Sequence, residues 1–231
     1  MLKFFQKSSE VLAALSERED GSMKLTADEL NSKKRNKFFE RLEIGSEKVI
    51  SAGIANSARA EIVSNDSPKI IYGTDALITT NENIFLSITV ADCIPVYFYE
   101  PDQKILALAH AGWRGIVGGI IINTLKKISE LGGQAENLLV ALGPGIDKCH
   151  FEIKEDVLEK FSERPEFIER REGKIFVDLK GIIKKQLNEA GIKTENIESN
   201  PDCTFENERY FSFRRDKPAV VEAMLVIIGI K

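Results

Sequence analysis

The stretch from Ile84 to Tyr99, followed closely by Ile105–Ala109, constrains the fold more than any other feature of this chain. It is largely apolar and rich in β-favouring residues. A pause at Cys93-Ile-Pro95 and the turn signal Pro101-Asp-Gln103 divide it, so it reads as a strand with a bulge or edge at the proline, then a turn, then a second strand. Further strands are predicted at Val49–Ile54, Ala60–Val63, Ala76–Thr79, Leu138–Leu142 and Ala219–Ile230. Helices are expected where apolar residues return every three or four positions. One runs from Arg114 to Leu131, with Val117, Ile120, Ile121, Leu125 and Ile128 on one face and Gly132-Gly133 as its stop. Others are expected at Glu155–Ser162 and Gly181–Ala190, and one after the capping-box pattern Thr26-Ala-Asp-Glu29, running to about Leu42. Strands outnumber helices and several neighbours read as antiparallel. The expected class is therefore α+β, with mixed β-sheets packed together and flanked by helices, rather than a doubly wound parallel sheet. A single domain over residues 1–231 is expected, with 1–45 the least constrained by pattern.

Charge and length narrow the function classes. A formal charge of −4 gives no basic face for nucleic acid. The longest apolar run, Ala223–Ile230, is far short of the roughly 20 residues needed to span a bilayer, and the first residues lack the apolar core of a secretory leader. A soluble, cytoplasmic protein with no membrane and no nucleic-acid partner is expected. Three cysteines are too few and too odd in number for a disulfide framework, so reduced thiols are expected.

Two residues then stand out because their types are scarce here and chemically versatile. Cys93 closes Ala91-Asp92-Cys93, and His110, one of only two histidines, opens His110-Ala-Gly-Trp113-Arg114-Gly115. Thiolate and imidazole supply metal ligands and nucleophile–base pairs. If the strands on either side of Asp102 form a hairpin with a two-residue turn, Cys93 lies opposite Gly112, and His110 shares its sheet face at diagonal distance, where a metal or a proton could bridge them. A loop of odd length would reverse the parity and separate them. Arg114, at the start of the following helix, offers a guanidinium and backbone donors to an anion such as phosphate. Asp92 reads equally well as a general base, a partner orienting the site, or a turn cap. Trp113 reads as packing and Cys149 and Cys203 as structural. Arg214 and Arg215, beside aromatics, read either as a pocket rim or as donors to the last strand's carbonyls.

The runs Gly73-Thr-Asp75-Ala-Leu-Ile-Thr79, Thr89-Val-Ala-Asp92-Cys93-Ile-Pro95, Ala109-His110-Ala-Gly-Trp-Arg114-Gly115, Gly143-Pro-Gly-Ile-Asp-Lys-Cys-His-Phe-Glu152, and Asp202-Cys-Thr204 with Tyr210-Phe-Ser-Phe-Arg214-Arg215-Asp216, occur in an order that resembles the laccase-domain, or polyphenol oxidase, family. The resemblance implies packed mixed sheets and a zinc-dependent purine nucleoside phosphorylase that acts on adenosine, inosine and methylthioadenosine, with adenosine deaminase activity. It implies zinc on Cys93 and His110. The family's third ligand, a histidine in an upstream Val-His-Gly motif, falls in Gly53-Ile-Ala-Asn56-Ser-Ala, which puts Asn56 at that position. An amide oxygen is a much weaker zinc donor than imidazole, so impaired metal binding and activity are expected. His150 is a candidate substitute ligand. The family's Ser-Thr-Arg-x-Gly-Gly run is echoed by Leu15-Ser-Glu-Arg18-Glu-Asp-Gly21, so the resemblance gives Arg18 a phosphate- or substrate-binding role beside Arg114.

Two other functions are compatible with the same residues. One is a metal-free thiol hydrolase in which His110 activates Cys93. The other is a non-catalytic member that binds a nucleoside or a protein partner. Copper oxidation is disfavoured, because two histidines cannot fill the imidazole-rich sites of multicopper chemistry.

Overall fold

The computed structural model describes residues 1–6, 8, 10–25 and 29–231. Two six-stranded sheets lie face to face. The first runs, edge to edge, Leu2–Phe4, Val11–Leu15, Met224–Ile230, Phe85–Val90, Val49–Gly53, Ile70–Tyr72. The second runs Ile197–Ser199, Leu139–Leu142, Ile94–Glu100, Ile105–Ala111, Ala76–Thr79, Ala60–Ile62. Both are mixed: the central hairpins are antiparallel, while Val49–Gly53 pairs in parallel with both its neighbours and Ala60–Ile62 pairs in parallel with Ala76–Thr79. A small third sheet joins Glu152–Ile153, Lys174–Val177 and Ile168–Arg171.

The two-residue period of the strands sorts their side chains into separate layers. Leu106 and Leu108, with Tyr97 and Tyr99, point into the space between the sheets and meet Val226, Ile228, Leu86 and Ile88 of the other sheet. The alternate residues Ala107, Ala109, Val96 and Phe98 point outward onto Ile120, Ile121 and Ile128 of the helix Ile120–Glu130 and onto Ile182, Ile183 and Leu187 of the helix Leu179–Glu189. On the far side, Leu225, Ile227 and Ala14 meet Phe38, Phe39 and Leu42 at the end of the helix Glu29–Arg41. The result is helix, sheet, sheet, helix, which explains why the central strands are apolar on both faces. Tyr97 ties the inner layers by donating its hydroxyl to the Ala14 carbonyl at 3.1 Å.

The expected α+β class of packed mixed sheets with flanking helices is what the chain adopts. Three element boundaries need correction, and an interior strand went unpredicted. The helix expected over Arg114–Leu131 is two helices, Trp113–Gly118 and Ile120–Glu130, because Gly119 sits at φ +90° and ends the first by offering its N–H to the Gly115 and Ile116 carbonyls. The last strand starts at Met224, not Ala219. Glu155–Ser162 is a four-residue helix, Glu155–Leu158, followed by a tighter 3-10 turn over Glu159–Phe161. Val11–Leu15, which drew no prediction, is an interior strand. The capping box at Thr26–Glu29 lies partly outside the described residues. Among the described residues, no helix is long and apolar enough to cross a membrane.

Candidate active site

The hairpin register decides the geometry of the site. Ile94 pairs with Ala111, Pro95 with His110 and Glu100 with Ile105, leaving the four residues Pro101–Lys104 as the loop. An even loop preserves the parity, so the same register carried one step further sets Cys93 against Gly112. His110 belongs to the alternate set with Leu106 and Leu108, facing the space between the sheets. Asp92 and Cys93 lie on the short crossing from Phe85–Val90 of one sheet to Ile94–Glu100 of the other. The site therefore sits at one end of the interface between the two sheets.

Gly112 shows that three side chains converge there. A Cβ built on it would lie 2.9 Å from Cys93 Sγ, 3.5 Å from His110 Cε1 and 3.7 Å from Asn56 Oδ1. Its own backbone, at φ −77° and ψ 162°, is ordinary for any residue, so the glycine is required by space and not by conformation. The missing side chain leaves a small recess lined by sulfur, imidazole and amide oxygen. These are donor types that can hold a metal ion, and the third is the weakest.

Asp75 organises two of the three. Its fully buried carboxylate accepts from the backbone N–H groups of Ala55 (3.2 Å), Asn56 (3.0 Å) and Ser57 (2.8 Å), from the Ser57 hydroxyl (2.8 Å) and from His110 Nδ1 (2.9 Å). The Asp75 carbonyl also accepts the His110 N–H at 2.7 Å. This fixes the His110 tautomer and leaves Nε2 as the working nitrogen. The same bonds shape the loop that holds Asn56 at φ +55°, a left-handed conformation that asparagine tolerates well. Burial alone would raise the Asp75 carboxyl, but His110 and the Ser57 N–H and hydroxyl hold it below the usual carboxylate range. Burial would likewise pull the His110 imidazole down, but the charge and hydrogen bond of Cys93, with those of Asp75, push it up to about 10. Asp75 was visible in the sequence only as a member of a motif. Nothing in its spacing identified it as the residue that orients both Asn56 and His110.

Asp92 positions Cys93. It sits at φ +78° and is held on three sides: Thr204 Oγ1 donates to Oδ1 (2.6 Å), the Arg214 N–H to Oδ2 (2.7 Å) and the Ile146 N–H to its carbonyl (2.8 Å). A left-handed aspartate costs some backbone energy, which these bonds offset. Arg214 is the second residue of the helical turn Phe213–Asp216. At its other end Asp216 pairs with Arg18, whose guanidinium lies 5.2 Å from the centre of the Phe211 ring. The hydrogen bond from Arg215 and the nearby Arg18 charge keep Asp216 below the usual carboxylate range despite burial. Arg18 Nε is buried with no acceptor among the described residues. Arg114 is exposed and stacks on Trp113 at 4.3 Å. Its helix has six residues, so the guanidinium and not a long helix dipole is its means of holding an anion. Arg215 donates to the carbonyls of Thr204, Phe205 and Tyr210, none of which belongs to the last strand.

His150 stands in a different cluster. Its ring stacks on Phe205, and its Nδ1 lies 3.2 Å from Cys149 Sγ, 3.8 Å from Cys203 Sγ and 3.5 Å from Glu206 Oε1. The two cysteines expected to be structural are thus brought together with a histidine and a carboxylate.

Comparisons with known proteins bear on the family and the fold. The family model described as multi-copper polyphenol oxidoreductase laccase matches residues 22–231. A purine nucleoside phosphorylase of Staphylococcus epidermidis is 36% identical over 167 residues, 70% of this chain and 62% of the relative. The purine nucleoside phosphorylase YlmD of Staphylococcus aureus is 36% identical over 165 residues, 69% of this chain and 61% of the relative. The match thus spans a little under two thirds of each relative's length. Among solved structures, the hypothetical protein YfiH of Bacillus licheniformis superimposes with a TM-score of 0.88 at 26% identity, covering 96% of this chain and 94% of that one. YlmD from Geobacillus stearothermophilus gives 0.89 at 26% identity over 96% and 93%. With a family model matched from residue 22 to the last residue, the chain belongs to the multi-copper polyphenol oxidoreductase laccase family.

Proposed function

We propose that this chain is a phosphorylase of purine nucleosides (adenosine, inosine and methylthioadenosine), with adenosine deamination as a side activity, and that zinc assists it on Cys93, His110 and Asn56. The observation that carries this reading is the convergence of those three side chains on the recess beside Gly112. The names of the relatives support the substrate class. A thiolate and an imidazole are good zinc donors, and Asn56 completes the set with a weaker oxygen. When bound, zinc would supply a Lewis acid to polarise the substrate or a water, which also accounts for deamination.

The residues of the chain account for the rest. In phosphorolysis a phosphate oxygen forms the new bond to the anomeric carbon. The C–N bond to the purine breaks, its electron pair leaves with the base, and the base takes up a proton. Arg114, exposed and stacked on Trp113, and Arg18, beside Phe211, would hold the phosphate and offset its charge. His110, fixed through Nδ1 by Asp75, would present Nε2 to the metal, and the departing base would take its proton from phosphate or water. Asp92 keeps Cys93 in place through Thr204 and Arg214. The test is to mix purified, zinc-supplemented protein with inosine and phosphate and follow hypoxanthine. Release that requires phosphate and is lost in Cys93→Ala supports the proposal. Nucleoside-dependent thermal stabilisation without turnover would instead identify a binding protein.

The Cys93, His110, Asp75 order favours one second reading, a metal-free thiol hydrolase with Asp75 as the group orienting the base. Rapid alkylation of Cys93 alone in metal-free protein would support it. One equivalent of bound zinc that is lost in Cys93→Ala would exclude it.

A further inference from the structure

The cluster of Cys149, His150, Cys203 and Glu206 is not used by the chemistry above. Each residue offers one donor atom, and the four atoms lie within 4.8 Å of one another. A tetrahedral zinc ion with sulfur at about 2.3 Å and nitrogen or oxygen near 2.0–2.1 Å separates its ligand atoms by roughly 3.3–3.8 Å. The three distances from His150 Nδ1 are 3.2 Å to Cys149, 3.8 Å to Cys203 and 3.5 Å to Glu206, so three edges of such a tetrahedron are nearly in place.

The scaffold holds these donors independently of any ion. Gly145 and Cys203 form a parallel bridge, and the Thr204 N–H donates to the Gly145 carbonyl at 3.1 Å, so the two ligand-bearing loops are joined by backbone. The Asp147 N–H points at Cys203 Sγ from 3.3 Å, a donor suited to a thiolate. Phe205 stacks on the His150 ring, with centroids 4.2 Å apart, and limits its rotation. Cys203 is buried, while Cys149 and His150 are half-buried and Glu206 is exposed, so an ion can enter from solvent on the Glu206 side.

We propose that Cys149, His150, Cys203 and Glu206 form a second metal site, for a zinc-like divalent ion, distinct from the site at Cys93. Its role is structural: all four positions are filled by protein, as in closed zinc sites. It also bears on the first site, because Thr204, next to Cys203, donates to Asp92, next to Cys93. Binding requires loss of the thiol protons, so it releases protons and strengthens as pH rises.

The test uses Co²⁺ as the probe. The chain has three cysteines, so in Cys93→Ala any thiolate-to-cobalt charge-transfer absorption arises from Cys149 or Cys203. The proposal expects one equivalent of Co²⁺ with tetrahedral absorption in Cys93→Ala, displaced by Zn²⁺, and a raised Tm on zinc addition. Adding Cys149→Ser or His150→Ala to that background, both at half-exposed positions, should weaken binding beyond the roughly 10- to 100-fold loss seen when only an outer partner is disturbed. Reduced Cys93→Ala that shows no thiolate-to-cobalt band would overturn the proposal. So would a band unaffected by Cys149→Ser and His150→Ala, or a Cys149–Cys203 disulfide that forms in air in a protein whose reduced form binds no metal.

Discussion

Cys93 and His110 were legible in the sequence because they are rare residue types within distinctive runs, and the structure brings them together. Asp75 was not, because its importance lies in five hydrogen bonds that cross the fold from Ala55 to His110. Replacing it by asparagine keeps the shape but loses the charge that those donors face. Asp75→Asn is expected to cost about 3 kcal/mol, as for breaking one partner of a buried pair, measured by urea unfolding. The pH dependence has a definite sign. The folded carboxyl lies below its unfolded value of about 3.9, so its contribution is complete above that value and is lost as pH falls through the folded one. The gap between wild type and Asp75→Asn should therefore be widest near neutrality and close in acid below pH ~4. A gap unchanged at low pH would show that Asp75 acts by packing alone. Gly112 makes the complementary prediction. Its φ of −77° admits alanine, but the added Cβ would sit 2.9 Å from Cys93 Sγ and fill the recess. Gly112→Ala should stay folded, at a cost of no more than about 3 kcal/mol, while losing metal binding at Cys93 and turnover together. Intact turnover would show that the recess is unused.

At the scale of elements, the hairpin was readable because period-two alternation and an even loop fix which residues share a face. The actual loop is four residues and the expected turn was two, yet the parity is the same, so Cys93 and His110 fall on one face either way. The break at Gly119 was not readable, because the apolar spacing continues through it. Periodicity reports which side is buried and is blind to a change of axis at one glycine. Leu2–Phe4 and Val11–Leu15 escaped notice because the first is very short and the second, Val-Leu-Ala-Ala-Leu, has the composition of a helix. Its pairing with Met224–Ile230 overrides that preference. The short helix Trp113–Gly118 packs so closely on the Asn56 loop that a Cβ on Gly115 would meet the Ser57 carbonyl oxygen at 2.9 Å. Asn123 adds a 2.8 Å bond to the Ala58 carbonyl from the next helix. Gly115→Ala must push helix and loop apart, so it should destabilise the protein by about 1–3 kcal/mol and lower activity even with Cys93 and His110 unchanged. Circular dichroism melts with the hypoxanthine assay would check both. An unaltered Tm would mean that the loop yields freely.

For the whole molecule, the four-layer stack explains where the site must be. The helices cover both outer faces and apolar side chains fill the space between the sheets, which leaves the ends of the sheets to the polar site, with Arg35, Ser51 and Ser87 as a buried polar trio between helix and sheet. The crossing at Asp92-Cys93 is one such end, and the bridge from Cys203 to Gly145 brings the second cluster to the same neighbourhood. The overall class was accessible from the sequence because every layer leaves a periodic trace. The Cys149–His150–Cys203–Glu206 cluster was not, since its members come from loops more than fifty residues apart and only the backbone bridge unites them. The proposed function makes Asn56 the weak third donor of one site with Cys93 and His110. The most direct measurement is the zinc concentration that gives half-maximal phosphate-dependent hypoxanthine release, compared between wild type and Asn56→His. A midpoint lower by at least about tenfold is expected in Asn56→His, imidazole being the stronger donor. Identical midpoints, or release indifferent to zinc in both proteins, would contradict it.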